Sequence, residues 1–144
     1  MSAPLIVLDT DVVVTALLGR EDADSYRVVR RVMTGEVQLA ASNPFVVELL
    51  EVVRRPHVRR NIRDVPKAFE IGLELGLWAH FCNPTRYDWP SVRDPDDYWL
   101  PDLAWEAEAD YIIALDPHLL EANFPFPIEV LTPSQLLERL EMVS

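Results

Sequence analysis

The sequence predicts an α/β fold, with a parallel sheet of about five strands covered by helices on both faces. Three observations predict it. Five short apolar runs of strand length recur between residues 4 and 131. Longer segments with helical start and stop signals separate most of them, the pattern of β-α crossover units. The 144 residues, 49% of them apolar, supply one domain with material for a real core.

Residues 4–8, Pro-Leu-Ile-Val-Leu, run apolar without alternation, as a strand buried on both faces does, and end in Asp9-Thr10-Asp11. Residues 12–34 read as helix, interrupted near Gly19, and Val37–Ala41 as the second strand. Ser42 or Asn43 offers an N-cap, and Pro44 a first-turn residue, for a helix through about Arg55. Pro56 ends or bends that helix. A helix from Val65 to Leu75 follows, with Gly76 as its C-cap, then Leu77–Cys82 as the third strand. Residues 83–97 hold Pro84, Pro90, Pro95 and many Asp, and read as a loop. A helix then extends to about Ala109, before strands at Tyr111–Leu115 and Ile128–Leu131. Thr132 or Ser134 caps a last amphipathic helix with Leu136, Leu137 and Leu140 on one face. No repeat, low-complexity tract or linker divides the chain, so residues 1–144 read as a single domain.

No apolar run approaches the roughly 20 residues that span a bilayer. Met1-Ser2-Ala3-Pro4 lacks a basic n-region, so no signal peptide is expected. The single cysteine, Cys82, cannot form an internal disulfide and follows an apolar run, so it reads as buried filler. Both features suit a reducing cytoplasm. The net charge of −11 opposes nucleic-acid binding as a sum, but the charges are segregated. Six of the 13 basic residues lie between positions 54 and 67: Arg54, Arg55, Arg59, Arg60, Arg63 and Lys67. Such a stretch is either a solvated helix face or a patch for a polyanion.

Acids collect elsewhere, and four are singled out. Asp9 and Asp116 each follow an apolar strand, where sites form in open parallel sheets. Each could instead cap the helix that follows; Asp11 competes for the cap beside Asp9. Glu48 lies in a segment that is apolar nearly all round, so its charge needs an exit or a partner. Glu51 and Arg55 are spaced for an i,i+4 ion pair, which leaves Glu48 without a role on that face. Asp97 sits near a helix start, as an N-cap, a ligand or both, with Asp94 and Asp102 as competitors. Carboxylates from separate elements suit Mg²⁺ or Mn²⁺, hard ions that take oxygen ligands and keep waters. An ion also offsets the repulsion among crowded acids. His57, His80 and His118 are scattered without zinc spacing, and four glycines make no phosphate loop.

Taken in order, these segments resemble the PIN-domain family, and within it the VapC-like ribonuclease toxins of toxin–antitoxin systems. Leu8-Asp9-Thr10-Asp11-Val12-Val13-Val14 is similar to the first motif, and Ser42 through Val52 with Arg55-Pro56 to the second. Arg93-Asp94-Pro95-Asp96-Asp97, Leu103-Ala104 and Ala109 through Asp116 are similar to the third and fourth. Ile128 through Pro133 is similar to the last strand and turn. The resemblance spans Leu5 to Leu140. It implies a three-layer α/β/α sandwich and cleavage of single-stranded RNA by a water activated by Mg²⁺ or Mn²⁺. Asp9, Glu48, Asp97 and Asp116 would be the catalytic and metal-holding acids, with Asp11, Asp94 and Asp102 as further possible ligands. Thr10 and Ser42 would support them, and Arg54, Arg55, Arg59 and Arg60 would meet RNA. It further implies a cognate antitoxin partner and a homodimer. Two positions depart from the family pattern: Asp11 stands where Asn is usual, and His118 where a second acid is frequent.

Two alternatives come from other classes. Asp9-Thr10-Asp11-Val12-Val13-Val14 also resembles the first motif of haloacid-dehalogenase-like phosphatases, with Asp9 as nucleophile and Ser42 and Lys67 in later roles. That family's acidic motif should end an apolar strand, which the residues before Asp94 do not form. The other alternative is a PIN-like module that binds RNA or protein without catalysis.

Overall fold

The computed structural model describes residues 3–143, so the single-domain reading of 1–144 runs past the described residues at both ends. Five strands, β1 (Leu5–Leu8), β2 (Gln38–Ala41), β3 (His80–Phe81), β4 (Tyr111–Ile113) and β5 (Glu129–Leu131), form one sheet. Its order is β3-β2-β1-β4-β5, and every pairing is parallel. β1 is central, with Ile6, Val7 and Leu8 at 0–1% exposure. Its register sets Leu8 beside Ile113, and Ile113 beside Leu131. A strand with neighbours on both edges and helices on both faces has no reason to alternate, which is why its sequence does not.

The helices are α1 (Thr10–Leu17), α2 (Asp24–Met33), α3 (Asn43–Arg54), α4 (Pro56–Arg59), α5 (Val65–Trp78), α6 (Trp99–Glu106), α7 (Pro117–Leu120) and α8 (Pro133–Val143). A 3₁₀ turn at Pro95–Asp97 precedes α6. The chain steps from β1 to β2 to β3, then crosses back to β4 on the other side of β1. Right-handed crossovers put the first two connections on one face and the return on the other. Accordingly α1, α2, α5 and α8 pack among themselves, while α6 crosses β1, β2 and β4. The reversal falls between β1 and β4, and the carboxyl ends of strands at such a point are the usual place for a site.

Several boundaries differ from the sequence expectation. The first helix begins at Thr10, two residues early, because Asp9 and not Asp11 caps it, accepting from the Thr10 N–H at 2.8 Å. The break near Gly19 separates two helices, with Gly19 at φ +93°, open to glycine and strained for other residues. Ser42, not Asn43, caps α3: its Oγ accepts from the Phe45 N–H at 3.4 Å. The helix expected to stop at Leu75 continues through Gly76 to Trp78, because Gly76 does not take a positive φ and Ala79 ends it in extended backbone. That extension leaves the third strand only His80–Phe81. The helix expected to reach Ala109 ends at Glu106, where Glu108 takes φ +54°. The expected Glu51–Arg55 ion pair is not formed among the described residues. Arg55 lies past the helix end in extended backbone (ψ 132°), off the face that carries Glu51. Thr132, not Ser134, caps α8: its Oγ1 accepts from the Gln135 N–H while Gln135 Oε1 accepts from the Thr132 N–H, a reciprocal box. Cys82 is half-buried against the core, and burial, with the charge of Glu106, pushes its thiol up.

Candidate active site

The four acids come from four elements. Asp9 leaves β1, its own N–H bonded to the Ile113 carbonyl of β4 at 2.9 Å, so the strand pairing holds its backbone. Asp116 leaves β4 and caps α7, accepting from the His118 N–H at 2.9 Å. Glu48 projects from α3, whose start is held by the fully buried Ser42. Asp97 comes from the 3₁₀ turn before α6. Its side chain caps nothing: Asp94 caps that turn, accepting from the Asp96 N–H at 2.9 Å, and α6 has no side-chain cap. Thr10 ties two of the elements together, since its Oγ1 donates to Glu48 Oε2. Pro101 falls within the first turn of α6, where its missing N–H is tolerated.

Burial and neighbouring charges act on two of these acids. The Asp9 carboxyl is raised from 3.8 to about 7, first by burial at 9% exposure, then by the charges of Asp11, Glu48 and Asp97, against the lowering pull of the Thr10 N–H. Asp97 is raised from 3.8 to about 6, first by burial, then by Glu48, Asp94, Asp116 and Asp96. Asp9 thus lies within range of Glu48 and Asp97, and Asp97 within range of Glu48 and Asp116, although these acids come from distant parts of the sequence. Asp11 is exposed on the first turn of α1 and adds the largest of the charge repulsions on Asp9.

This donor set fits a hard divalent cation. Every candidate donor is a carboxylate or hydroxyl oxygen, and an acid whose pKa is raised by burial and by its neighbours' charges is stabilised by a nearby cation. Among the described residues, no three His, Cys, Asp or Glu side chains already converge on a single ion position. Mg²⁺ needs no such cage, because it keeps several waters and takes one or two carboxylates directly.

Other sequence candidates fall elsewhere. Asp102 is 4% exposed and its Oδ1 accepts from the Tyr87 N–H at 3.0 Å and the Trp89 Nε1–H at 2.8 Å, so it anchors the preceding loop to α6. A buried indole N–H needs an acceptor, so Trp89 carried a signal for Asp102 that sequence reasoning left unused. Sequence reasoning also missed Arg93, whose Nη1 lies 2.8 Å from His118 Nε2 next to Asp116. Arg54, Arg55, Arg59 and Arg60 are all exposed along the end of α3 and α4, and Arg60 Nε donates to the Pro56 carbonyl. Lys67 pairs with Glu21 and lies over the Tyr26 ring, and Ser42 is spent on its cap. Those two positions, with Asp94 on an exposed loop, leave the phosphatase alternative without its parts.

A broad apolar groove separates α3 from α5, about 540 Å³ in volume and lined by residues such as Phe45, Leu49, Phe69 and Leu73. No helix among the described residues is long and apolar enough to cross a membrane. A comparison with curated proteins returned no match. The PIN-domain family matches residues 5–118, a span that includes Asp9, Glu48, Asp97 and Asp116. PIN domains are typically nucleases and generally use divalent metal ions. With the parallel sheet in hand and a match across most of its length, this chain belongs to the PIN-domain family.

Proposed function

We propose that this chain is a Mg²⁺- or Mn²⁺-dependent endoribonuclease that cuts single-stranded RNA and serves as the cytoplasmic toxin of a type II toxin–antitoxin pair. One observation supports the nuclease reading: Asp9 feels the charges of Glu48 and Asp97, and Asp97 those of Glu48 and Asp116, in a chain of the PIN family. In this reading the four acids hold the cation. When bound, the ion supplies Lewis acidity and positive charge opposite the scissile phosphate. Thr10 holds the Glu48 carboxylate in place through its hydroxyl. Arg93 and His118, side by side at the rim, meet phosphate charge. The exposed arginines from Arg54 to Arg60 offer a path for the flanking strand.

The apolar face supports the reading of the partners. Leu77 is 84% exposed, Phe69 67%, and Val65, Phe81 and Leu73 more than half. Exposed apolar patches of this kind mark interaction surfaces. A second copy of the chain covers part of this face and the antitoxin the rest. Light scattering should report a dimer that Leu73→Asp converts to a monomer.

The deciding experiment is cleavage of a single-stranded RNA with Mn²⁺ or with EDTA, run beside Asp116→Asn. Cutting in Mn²⁺ alone, reduced about a hundredfold or more by the variant, is expected. Equal cutting by the variant would remove Asp116 from the site, and no cutting by the wild type would favour a binding module.

A further inference from the structure

The loop before Asp94 and the end of α6 build a second cavity, of about 330 Å³, that none of the four acids lines. Its walls are Tyr87, Trp89, Trp105 and Phe126, with two prolines between them and Asp88 at the rim. The rings stand steeply to one another: Tyr87 and Trp89 at 69° with centroids 5.9 Å apart, Trp105 and Phe126 at 69° and 5.1 Å. Trp89 is 6% exposed and forms the floor, while Tyr87 at 43% and Trp105 at 46% remain open to solvent.

The charged groups seen at this box, Asp88 on its rim and Asp102 behind its floor, are acidic. Asp102 lies directly behind the floor, bonded to Trp89 Nε1, and at 4% exposure it is buried. Its two partners are neutral N–H groups, and among the described residues no Lys, Arg or His pairs with it. A buried carboxylate without a counter-ion favours a cation nearby. Its pull on the indole N–H also makes the ring face richer in electrons, and ring faces attract cations. RNA is disfavoured here, because the same carboxylates repel phosphate.

We propose that this aromatic box is a docking site for an arginine side chain of a partner polypeptide. A guanidinium is planar and weakly hydrated, so it stacks on the part-exposed Trp105 or Tyr87 ring while its edge N–H groups reach Asp88. A chain with a net charge of −11 is suited to a cationic partner. The proposal is independent of whether the chain cuts RNA.

The test uses the full chain with ¹⁵N-labelled indoles and the peptide acetyl-Gly-Arg-Gly-amide, against the same peptide carrying citrulline, an uncharged match in shape. Saturable shifts of the Trp89 and Trp105 indole signals are expected with arginine. Binding of the citrulline peptide should be about tenfold weaker or more. Trp105→Ala, at a half-exposed position, should weaken the arginine peptide by a similar factor, and Asp88→Asn several-fold with the fold untouched. Equal binding of both peptides, or no saturable shift with arginine, would overturn the proposal. So would oligouridylate that perturbs the same two indoles at lower concentration than the arginine peptide.

Discussion

Replacing Asp9 with Asn tests the electrostatics of the cluster without touching its shape. The Asp9 carboxyl titrates at 3.8 in the unfolded chain and at about 7 in the fold. The folded state therefore holds the proton more tightly, so this group's contribution is most favourable below pH 3.8 and is lost as pH climbs to about 7. At 1.36 kcal/mol for each pH unit, the ionised carboxylate costs about 4 kcal/mol at pH 8. Asn carries no charge and keeps an oxygen facing the Thr10 N–H, now bonded at 2.8 Å. Its amide must also be desolvated, so a net gain of about 2 kcal/mol is expected for Asp9→Asn. For a chain of this length that raises Tm by about 6 °C. The assay is thermal or urea unfolding in EDTA at pH 5 and pH 8. The wild type should lose stability between the two, and the variant should lose much less. Adding Mn²⁺ should then reverse the ranking, since an ion at a hundred times its Kd stabilises the wild type by about 2.7 kcal/mol. If Asp9→Asn is no more stable than the wild type at pH 8 in EDTA, with an unchanged pH dependence, the account of a strained acid cluster is wrong.

Glu48→Gln keeps the bond from Thr10 but removes a charge that bears on both Asp9 and Asp97. Mn²⁺ affinity by calorimetry should fall about tenfold or more, and an unaltered isotherm would take Glu48 out of the site. Arg59→Glu with Arg60→Glu should weaken RNA binding and flatten its salt dependence while leaving Mn²⁺ binding intact; an unchanged slope over a salt series argues that these arginines face only water. Asp102→Ala strands the Trp89 and Tyr87 N–H groups, both now bonded to one oxygen, and should cost about 3 kcal/mol in urea unfolding. A loss below about 0.5 kcal/mol would show that the loop does not depend on that anchor.

The sequence alone determined the outline because the outline rests on local rules. Unbroken apolar runs such as Leu5–Leu8 must be buried on both faces, and Asp9 and Asp116 at the ends of such runs must emerge at one edge of a parallel sheet. Proline and cap residues set the start of α3 and the break at Pro56 in the same local way. What the sequence left open depends on contacts between distant residues. Nothing local says that the Thr10 hydroxyl meets Glu48, or that Asp97 is freed from capping because Asp94 does it. Asp94, Asp97 and Asp102 look alike in a string, yet one caps a turn, one joins the acid cluster and one is buried beneath Trp89. Gly76 resembled a helix stop, but φ at a glycine answers to what packs around it, and here the helix runs on to Trp78. Charge, burial and hydrogen bonding act through space, so only the folded arrangement could tell these acids apart.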